Sequence, residues 1–170
     1  MDLCNLNDIK ALLGRHGFHF SKSMGQNFLI EGWVPEDIAA ASGADKTCGV
    51  LEIGPGIGPL TVKLSDAAAR VVSVELDRSL LPVLAETMAG RDNVEIVPGD
   101  IMKLDIGALV DDKLKDLTPF ACANLPYNIT TPVLTALLEA ERFASITVMI
   151  QREVALRICA KPGTADYGAF

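Results

Sequence analysis

The sequence predicts an α/β domain in which a parallel β-sheet is covered by helices on both faces. Five short apolar segments alternate along the chain with segments of helical character, which is the order that βαβ units produce. A glycine-rich turn joins the first apolar segment directly to a helix, as is typical of such folds. The 170 residues supply enough apolar side chains to bury one core.

The five predicted strands are short and rich in aliphatic residues. They are Gly49–Ile53, Arg70–Glu75, Val94–Val97, Phe120–Ala123 and Ile146–Ile150. A helix is expected after each strand except the third, which we expect to be followed by an irregular acidic segment. Five helices are predicted in the core. The first begins near Pro35, the second runs through Leu60 and Leu64, the third spans Ser79 to Met88, the fourth spans Thr131 to Glu141, and the fifth begins near Glu153.

The N-terminal region, residues 1–30, is predicted to be distinct from the α/β core of residues 31–170. Asn7 precedes apolar residues at helical spacing and so predicts a short capped helix, which we expect to end near Gly14. The polar and aromatic residues 18–28 predict a loop between this helix and the core.

The net charge of −7 comes from the middle of the chain. Residues 31–141 carry 18 acidic and 8 basic groups, whereas both ends are mildly basic. Phosphate binding requires local rather than overall positive charge, so the total does not exclude a nucleic-acid partner. This chain alone is nevertheless poorly equipped to hold a large RNA.

Nothing in the sequence predicts a membrane-bound, exported or metal-binding protein. No stretch approaches the roughly 20 apolar residues of a membrane-spanning helix, and the N-terminus lacks the basic start and apolar run of a secretory signal. The four cysteines are scattered without a CxxC pair, and Cys48 and Cys122 lie in or beside apolar runs. We therefore expect a cytoplasmic protein with reduced, buried thiols and no metal.

The glycine-rich turn predicts a site for a nucleotide-like ligand. It spans Glu52–Gly58 with GxGxG spacing, and Pro59 occupies the position of the third glycine in the GxGxxG pattern of dinucleotide-binding enzymes. Glycines such as Gly54 and Gly56 let the backbone approach a ligand closely. Glu75 ends the second strand about 20 residues further on, where an acid binds ribose hydroxyls in these folds.

A second acid, Asp100, follows the third strand, where its carboxylate would accept a hydrogen bond from an adenine amino group. Leu76 and Ile101 would cover the two faces of that ring. A dehydrogenase-type dinucleotide site is the alternative, but the GxGxG spacing and the Gly-Asp pair after the third strand argue against it. Together with Glu75, these residues predict an S-adenosylmethionine site.

The segment Asn124-Leu125-Pro126-Tyr127 follows the fourth strand, at the edge where open α/β sheets bind ligands. The amine of a nucleobase is a poor nucleophile because its lone pair is delocalised into the ring. The Asn124 side-chain oxygen and the Leu125 carbonyl would accept hydrogen bonds from that amine. Pro126 would stiffen the turn, and Tyr127 would stack on a base turned out of its helix, an interaction worth about 1–3 kcal/mol.

Taken alone, these four residues also suit a turn that merely ends a strand. Their position after the predicted S-adenosylmethionine loop favours a catalytic site for methyl transfer to a base amine.

The motifs, in this order, resemble the rRNA adenine N6-dimethyltransferase family over almost the whole chain. The matching segments are Ser23–Leu29, Glu52–Gly58, Val74–Asp77, Gly99–Asp100, Asn124–Asn128, Gln151–Ala155 and Tyr167–Gly168. The resemblance implies a Rossmann-like fold of class I S-adenosylmethionine-dependent methyltransferases. It also adds Asn27 and Leu29 as expected cofactor contacts.

Within the family, Gly25–Phe28 and Leu125 are similar to the enzymes of small-subunit rRNA, whereas erythromycin-resistance methylases usually carry Ile at the position of Leu125. The resemblance therefore implies dimethylation of two adjacent adenosines near the 3′ end of small-subunit (16S) rRNA. The implied partner is the 30S-type ribosomal subunit, in whose biogenesis the protein would act. A large-subunit methylase and a ribosome-assembly or transcription-associated binding factor without turnover are the alternatives.

One departure from the family concerns the carboxyl end of the chain. Family members continue with the last strands of the sheet and a small helical domain, so we expect a chain truncated before both. By itself such a chain is expected to be a monomer and nearly inactive on ribosomes. Arg152, Arg157 and Lys161 would border an RNA surface that the missing part completes, with a solvated helix face as the alternative.

Overall fold

The computed structural model describes residues 1–18, 29–126 and 128–168, which form the predicted parallel sheet with helices on both faces. The strands are β1 (Cys48–Ile53), β2 (Arg70–Glu75), β3 (Val94–Pro98), β4 (Thr118–Asn124) and β5 (Ser145–Met149). The helices of the described residues are α1 (Leu6–Arg15), α2 (Trp33–Ser42), α3 (Pro59–Ala67), α4 (Leu81–Thr87), α5 (Ile106–Lys113), α6 (Thr130–Glu139) and α7 (Arg152–Ile158). A 3-10 turn (Arg78–Leu80) precedes α4.

The central strand of the sheet is β1, and all six of its residues are buried. It pairs in parallel with β2 on one side and β4 on the other, within the strand order β3-β2-β1-β4-β5. The chain first winds outward from β1 through β2 to β3, and then returns to the other side of β1 to form β4 and β5. The strand order therefore reverses between β1 and β4, which leaves a crevice at their carboxyl ends.

The two faces of the sheet carry separate apolar clusters. Leu51 packs with residues of α5 and α6 in the larger cluster, whereas its neighbour Val50 packs with α2 and α3. This division follows from the alternation of side chains along a strand. At the amino end of β1, Gly49 lies against α5, and a Cβ there would be 2.9 Å from Leu114 Cδ2.

The expectation of an irregular segment after β3 is wrong, because α5 lies within it. Asp105 caps this helix by accepting a hydrogen bond of 2.9 Å from the Ala108 N–H. Ile106 and Val110 are its buried residues. Leu109 packs partly buried against the larger apolar cluster, to which both belong, so the helical spacing of the three apolar residues covers little more than one turn and does not stand out from the surrounding acidic residues.

The N-terminal helix begins two residues earlier than predicted and ends near Gly14, as predicted. Asn5 rather than Asn7 is its N-cap, since the Asn5 Oδ1 accepts hydrogen bonds from the N–H groups of Asn7 and Asp8. The helix continues past Gly14 to Arg15. The predicted loop that follows lies outside the described residues except for Phe18. Within the described ranges, no helix is long and apolar enough to cross a membrane.

Two cysteines are buried in the sheet, as predicted, and neither forms a disulfide. Cys48 begins β1, and Cys122 lies in β4 beside Glu52 of β1. Burial, followed by the negative charge of Glu52, raises the pKa of Cys122 to about 12. This thiol is therefore protonated at neutral pH.

The buried run of β1 contains one acid, Glu52, which is 1% exposed. Its Oε2 accepts a hydrogen bond of 2.5 Å from Ser73 Oγ, at the paired position of β2. The buried Thr61 hydroxyl of α3 lies near enough to lower the pKa of Glu52, although it makes no hydrogen bond of good geometry within the described part of the chain. The effect of desolvation on the pKa is larger than the opposing effect of both hydroxyls, and it raises the pKa of Glu52 to about 7.

We expect the stability of the protein to fall with rising pH because of Glu52. The pKa of this group is about 7 in the folded protein against 4.5 in the unfolded chain, so the folded state binds more protons between these values. The contribution of Glu52 to the free energy of unfolding is fully present below the pKa of the unfolded chain and is lost as the pH rises through the pKa of the folded protein. It amounts to about 3 kcal/mol.

Glu52→Gln removes this titration. The difference between the unfolding free energies of wild type and variant, measured by urea denaturation at about pH 5 and about pH 8, should therefore shift by about 2.5 kcal/mol in favour of the variant at the higher pH. A difference that stays constant with pH contradicts the prediction.

Candidate active site

A cavity of about 250 Å³ lies in the crevice at the carboxyl ends of β1 and β4. Six of the residues that the sequence predicted for the site line it. They are Leu29, Gly54, Gly56, Glu75, Asn124 and Pro126. The topology brings them together because the loops after β1, β2 and β4 all leave the same edge of the sheet.

The glycine loop between β1 and α3 forms one wall of the cavity. Gly54, Gly56 and Gly58 have φ values of 69°, 62° and 95°, a region that side-chain-bearing residues rarely adopt. At Gly58 a Cβ would in addition lie 2.5 Å from Met88 Cε. The loop therefore needs glycine for its shape, and α3 begins immediately after it at Pro59.

Glu75 ends β2 and ties two of the loops around the cavity together. Its Oε2 accepts a hydrogen bond of 3.1 Å from the Gly56 N–H, and its Oε1 accepts one of 2.8 Å from the Asp77 N–H. Burial raises the pKa of this carboxyl, against the opposing effect of these hydrogen bonds. An ionised carboxylate accepts about four hydrogen bonds, so Glu75 retains acceptor capacity for a ligand.

Asn124 ends β4 on the opposite side of the cavity. In the part of the chain that the structure describes, its side chain makes no hydrogen bond, so the amide is available to a ligand. The neighbouring Leu125 is buried in the core, and its N–H donates to the Met149 carbonyl at 3.2 Å. The Pro126 carbonyl accepts a hydrogen bond of 3.1 Å from Thr130 Oγ1, which fixes the turn to the start of α6.

The three residues predicted to bind an adenine ring lie at the same edge of the sheet but do not line this cavity. Leu76 is 67% exposed, whereas Ile101 is buried in the larger core cluster. The Asp100 Oδ1 accepts a hydrogen bond of 3.0 Å from the Met102 N–H, and its Oδ2 lies 3.7 Å from Lys103 Nζ. Their roles in adenine binding stay predictions.

Two further predicted site residues, Asn27 and Tyr127, lie outside the described residues, and their roles stay predictions as well. Among the residues that the structure describes, no group of three or more His, Cys, Asp or Glu side chains could hold a metal ion.

Six further residues line the cavity, for which the sequence predicted no contact with a ligand. They are Glu52, Pro55, Pro59, Leu60, Asp77 and Leu80. Glu52 could have been found from its position as the first residue of the glycine motif. Leu80 carries no comparable signal, because only the fold brings the 3-10 turn against this crevice.

Comparison with known proteins identifies relatives of nearly the whole chain. A family model for ribosomal RNA adenine dimethylases matches residues 17–170. A curated relative from Shouchella clausii, named ribosomal RNA small subunit methyltransferase A, is 49% identical over 94% of this chain and 55% of its own length. Its namesake from Geobacillus thermodenitrificans is 44% identical over 99% of this chain and 58% of its own length. The chain thus spans a little over half the length of these relatives.

Solved structures agree on the fold. A dimethyladenosine transferase from Plasmodium falciparum is 27% identical with a TM-score of 0.66, covering 81% of this chain and 48% of that one. The 23S rRNA methyltransferase ErmE is 30% identical with a TM-score of 0.67, covering 81% of this chain and 51% of that one. The sheet and helices form the Rossmann-like fold of class I S-adenosylmethionine-dependent methyltransferases.

The glycine loop, Glu75 and Asn124 all lie within the residues that the family model matches. The site geometry and the match therefore concern the same part of the molecule. The chain belongs to the ribosomal RNA adenine dimethylase family.

Proposed function

We propose that this chain carries the cofactor and transfer sites of an enzyme that dimethylates N6 of two adjacent adenosines near the 3′ end of small-subunit rRNA. The methyl donor is S-adenosylmethionine. The observation that carries the proposal is that Glu75 and Asn124 border one cavity at the reversal of strand order. In this proposal the partner is the 30S-type ribosomal subunit, and the enzyme acts as a cytoplasmic monomer in the biogenesis of that subunit.

The names of the relatives support the small subunit as substrate. The curated relatives at 49% and 44% identity are named for the small ribosomal subunit. ErmE, whose name specifies 23S rRNA, shares the fold at 30% identity. Methylation of large-subunit rRNA is therefore the second candidate.

The residues around the cavity fit S-adenosylmethionine. Glu75 retains acceptor capacity for the ribose hydroxyls of the cofactor. Gly54 and Gly56 have no side chain, so their backbone atoms can contact the methionine part of the cofactor directly. Two acids, Glu52 and Glu75, line the cavity, and a positively charged ligand there would favour their ionised forms. The further contacts that we propose are Asn27, Leu29, Leu76, Asp100 and Ile101. When bound, the cofactor supplies a methyl group on a positively charged sulfur.

The chain's own contribution to transfer is to orient and polarise the adenine amine. In the first transfer Asn124 Oδ1 accepts one of the two amine hydrogens and the Leu125 carbonyl accepts the other, which draws the nitrogen lone pair out of the ring. The monomethylated amine has one hydrogen left, which one of these two oxygens accepts in the second transfer. Pro126 keeps the turn stiff, with its carbonyl held by Thr130. Tyr127 offers a face on which the flipped base stacks. Holding the amine in one orientation provides much of the remaining rate gain.

Glu75→Gln should weaken S-adenosylmethionine binding roughly 10- to 100-fold, because hydrogen bonds to a charged acceptor contribute about 1.5–3 kcal/mol each. Isothermal titration calorimetry measures this affinity. Asp111→Asn is the control, since this exposed acid pairs with Arg142 and does not line the cavity. Equal affinities of the two variants would contradict the role of Glu75, and a wild type that binds neither the cofactor nor its demethylated product would contradict the cofactor itself.

Asn124→Ala should lower methyl transfer roughly 100-fold or more, as expected when a hydrogen-bonding group aimed at the reacting atoms is removed. Tyr127→Ala should also lower transfer while leaving the affinity for S-adenosylmethionine unchanged. The measurement is transfer of a radiolabelled methyl group to undermethylated small subunits, by a form of the protein as long as its curated relatives. Full activity of Asn124→Ala contradicts the mechanism, and label on large-subunit rRNA alone favours the second candidate.

A further inference from the structure

Helix α1 packs behind the glycine loop, on the side away from the cavity. Its three buried side chains, Ile9, Leu12 and Leu13, are 0% exposed. They form one cluster with Ile57, Leu80 and Val83, which come from the glycine loop, the 3-10 turn and α4. The spacing of the three helix residues puts them on one face of α1.

The glycine loop has little stiffness of its own. Three of its residues are glycines at positive φ, and glycine loses more conformational freedom on ordering than any other residue. Ile57 is fully buried and does not line the cavity, so its side chain anchors the loop from behind. That anchor is the cluster with α1.

The same cluster reaches a second wall of the cavity. Leu80 belongs to it and also lines the cavity, in the turn that follows Glu75 and Asp77. The Asp77 side chain caps this turn through a hydrogen bond of 2.9 Å from the Ser79 N–H. Through this apolar cluster, α1 thus contacts both the glycine loop and the turn after β2. These are the two segments that the Glu75 carboxylate joins by its hydrogen bonds.

Polar contacts fix the end of α1 to the core. The Glu86 carboxylate of α4 lies 2.5 Å from an Arg15 guanidinium nitrogen and 2.6 Å from His16 Nε2. These contacts hold the pKa of Glu86 below its usual value. Exposed ion pairs contribute little to stability, so these contacts join the end of α1 to α4 while the apolar cluster provides most of the packing energy.

We infer that α1 is a positioning element for the cofactor, with Leu12 and Ile57 as positioning residues that act through the glycine loop. The inference rests on the proposed S-adenosylmethionine site. The family match begins at residue 17, after α1 ends at Arg15, so this helix lies outside it. By covering Ile57 and Leu80 from behind, α1 keeps the two loops at the separation that the ligand requires.

Leu12→Ala should lower the affinity for S-adenosylmethionine about tenfold. An affinity falls in proportion to the fraction of molecules in the competent conformation, so a loop correctly formed one-tenth of the time binds about tenfold more weakly. Leu114→Ala is the matched control. This change also shortens a buried leucine to alanine. Leu114 follows α5 and lies beside the amino end of β1, away from the glycine loop.

Calorimetric titration is carried out at a temperature where circular dichroism shows each variant to be folded. We expect Leu114→Ala to bind within about twofold of the wild type, and Leu12→Met, which restores most of the lost volume, to regain the affinity. Equal affinities of Leu12→Ala and Leu114→Ala would overturn the inference. A wild type that does not bind would instead overturn the proposed function.

If Leu12→Ala does not fold, Ile9→Val provides a milder test of the same cluster. The readout is then amide hydrogen exchange at Gly56, whose N–H donates to Glu75. Faster exchange at Gly56, with unchanged exchange in β5, supports the inference. An unchanged Gly56 rate in the folded variant overturns it.

Discussion

The central strand β1 is the constraint on which the rest of the structure depends. Its two edges are occupied by β2 and β4, and its two faces are covered by separate apolar clusters. A strand enclosed in this way has to be tightly fitted, and at Gly49 a Cβ would lie 2.9 Å from Leu114 Cδ2. At the carboxyl ends of the strands the chain leaves β1 for a helix on one face of the sheet and leaves β4 for a helix on the other face, and the cavity lies there.

Much of this arrangement could be predicted from the sequence. Apolar runs identify the strands, and residues that directly follow strands collect at one sheet edge, so Glu75 and Asn124 could be placed in one site. The short helix α5 was not predicted, because the helical spacing of Ile106, Leu109 and Val110 covers little more than one turn among acidic residues. The contact of α1 with Ile57 was equally hidden, since no local pattern connects residues so far apart in the chain.

The acids of the site show why a charge count is a poor guide to function. The chain carries a net charge of −7, yet the two acids that matter at the cavity, Glu52 and Glu75, are both buried. Desolvation acts on each of them, and Glu75 is held in addition by two backbone N–H groups. Their effect on a ligand is set by burial and hydrogen bonding, which depend on the fold and not on composition.

The buried thiol of Cys122 has a consequence for the proposed methyl transfer. It lies two residues before Asn124 in β4 and beside Glu52, which lines the cavity. A thiolate is a much stronger nucleophile than an adenine amine, and only the thiolate form reacts. Burial raises the pKa of Cys122 to about 12 and leaves the thiol no exposed surface, so Cys122 would not compete for the methyl group in the proposed transfer.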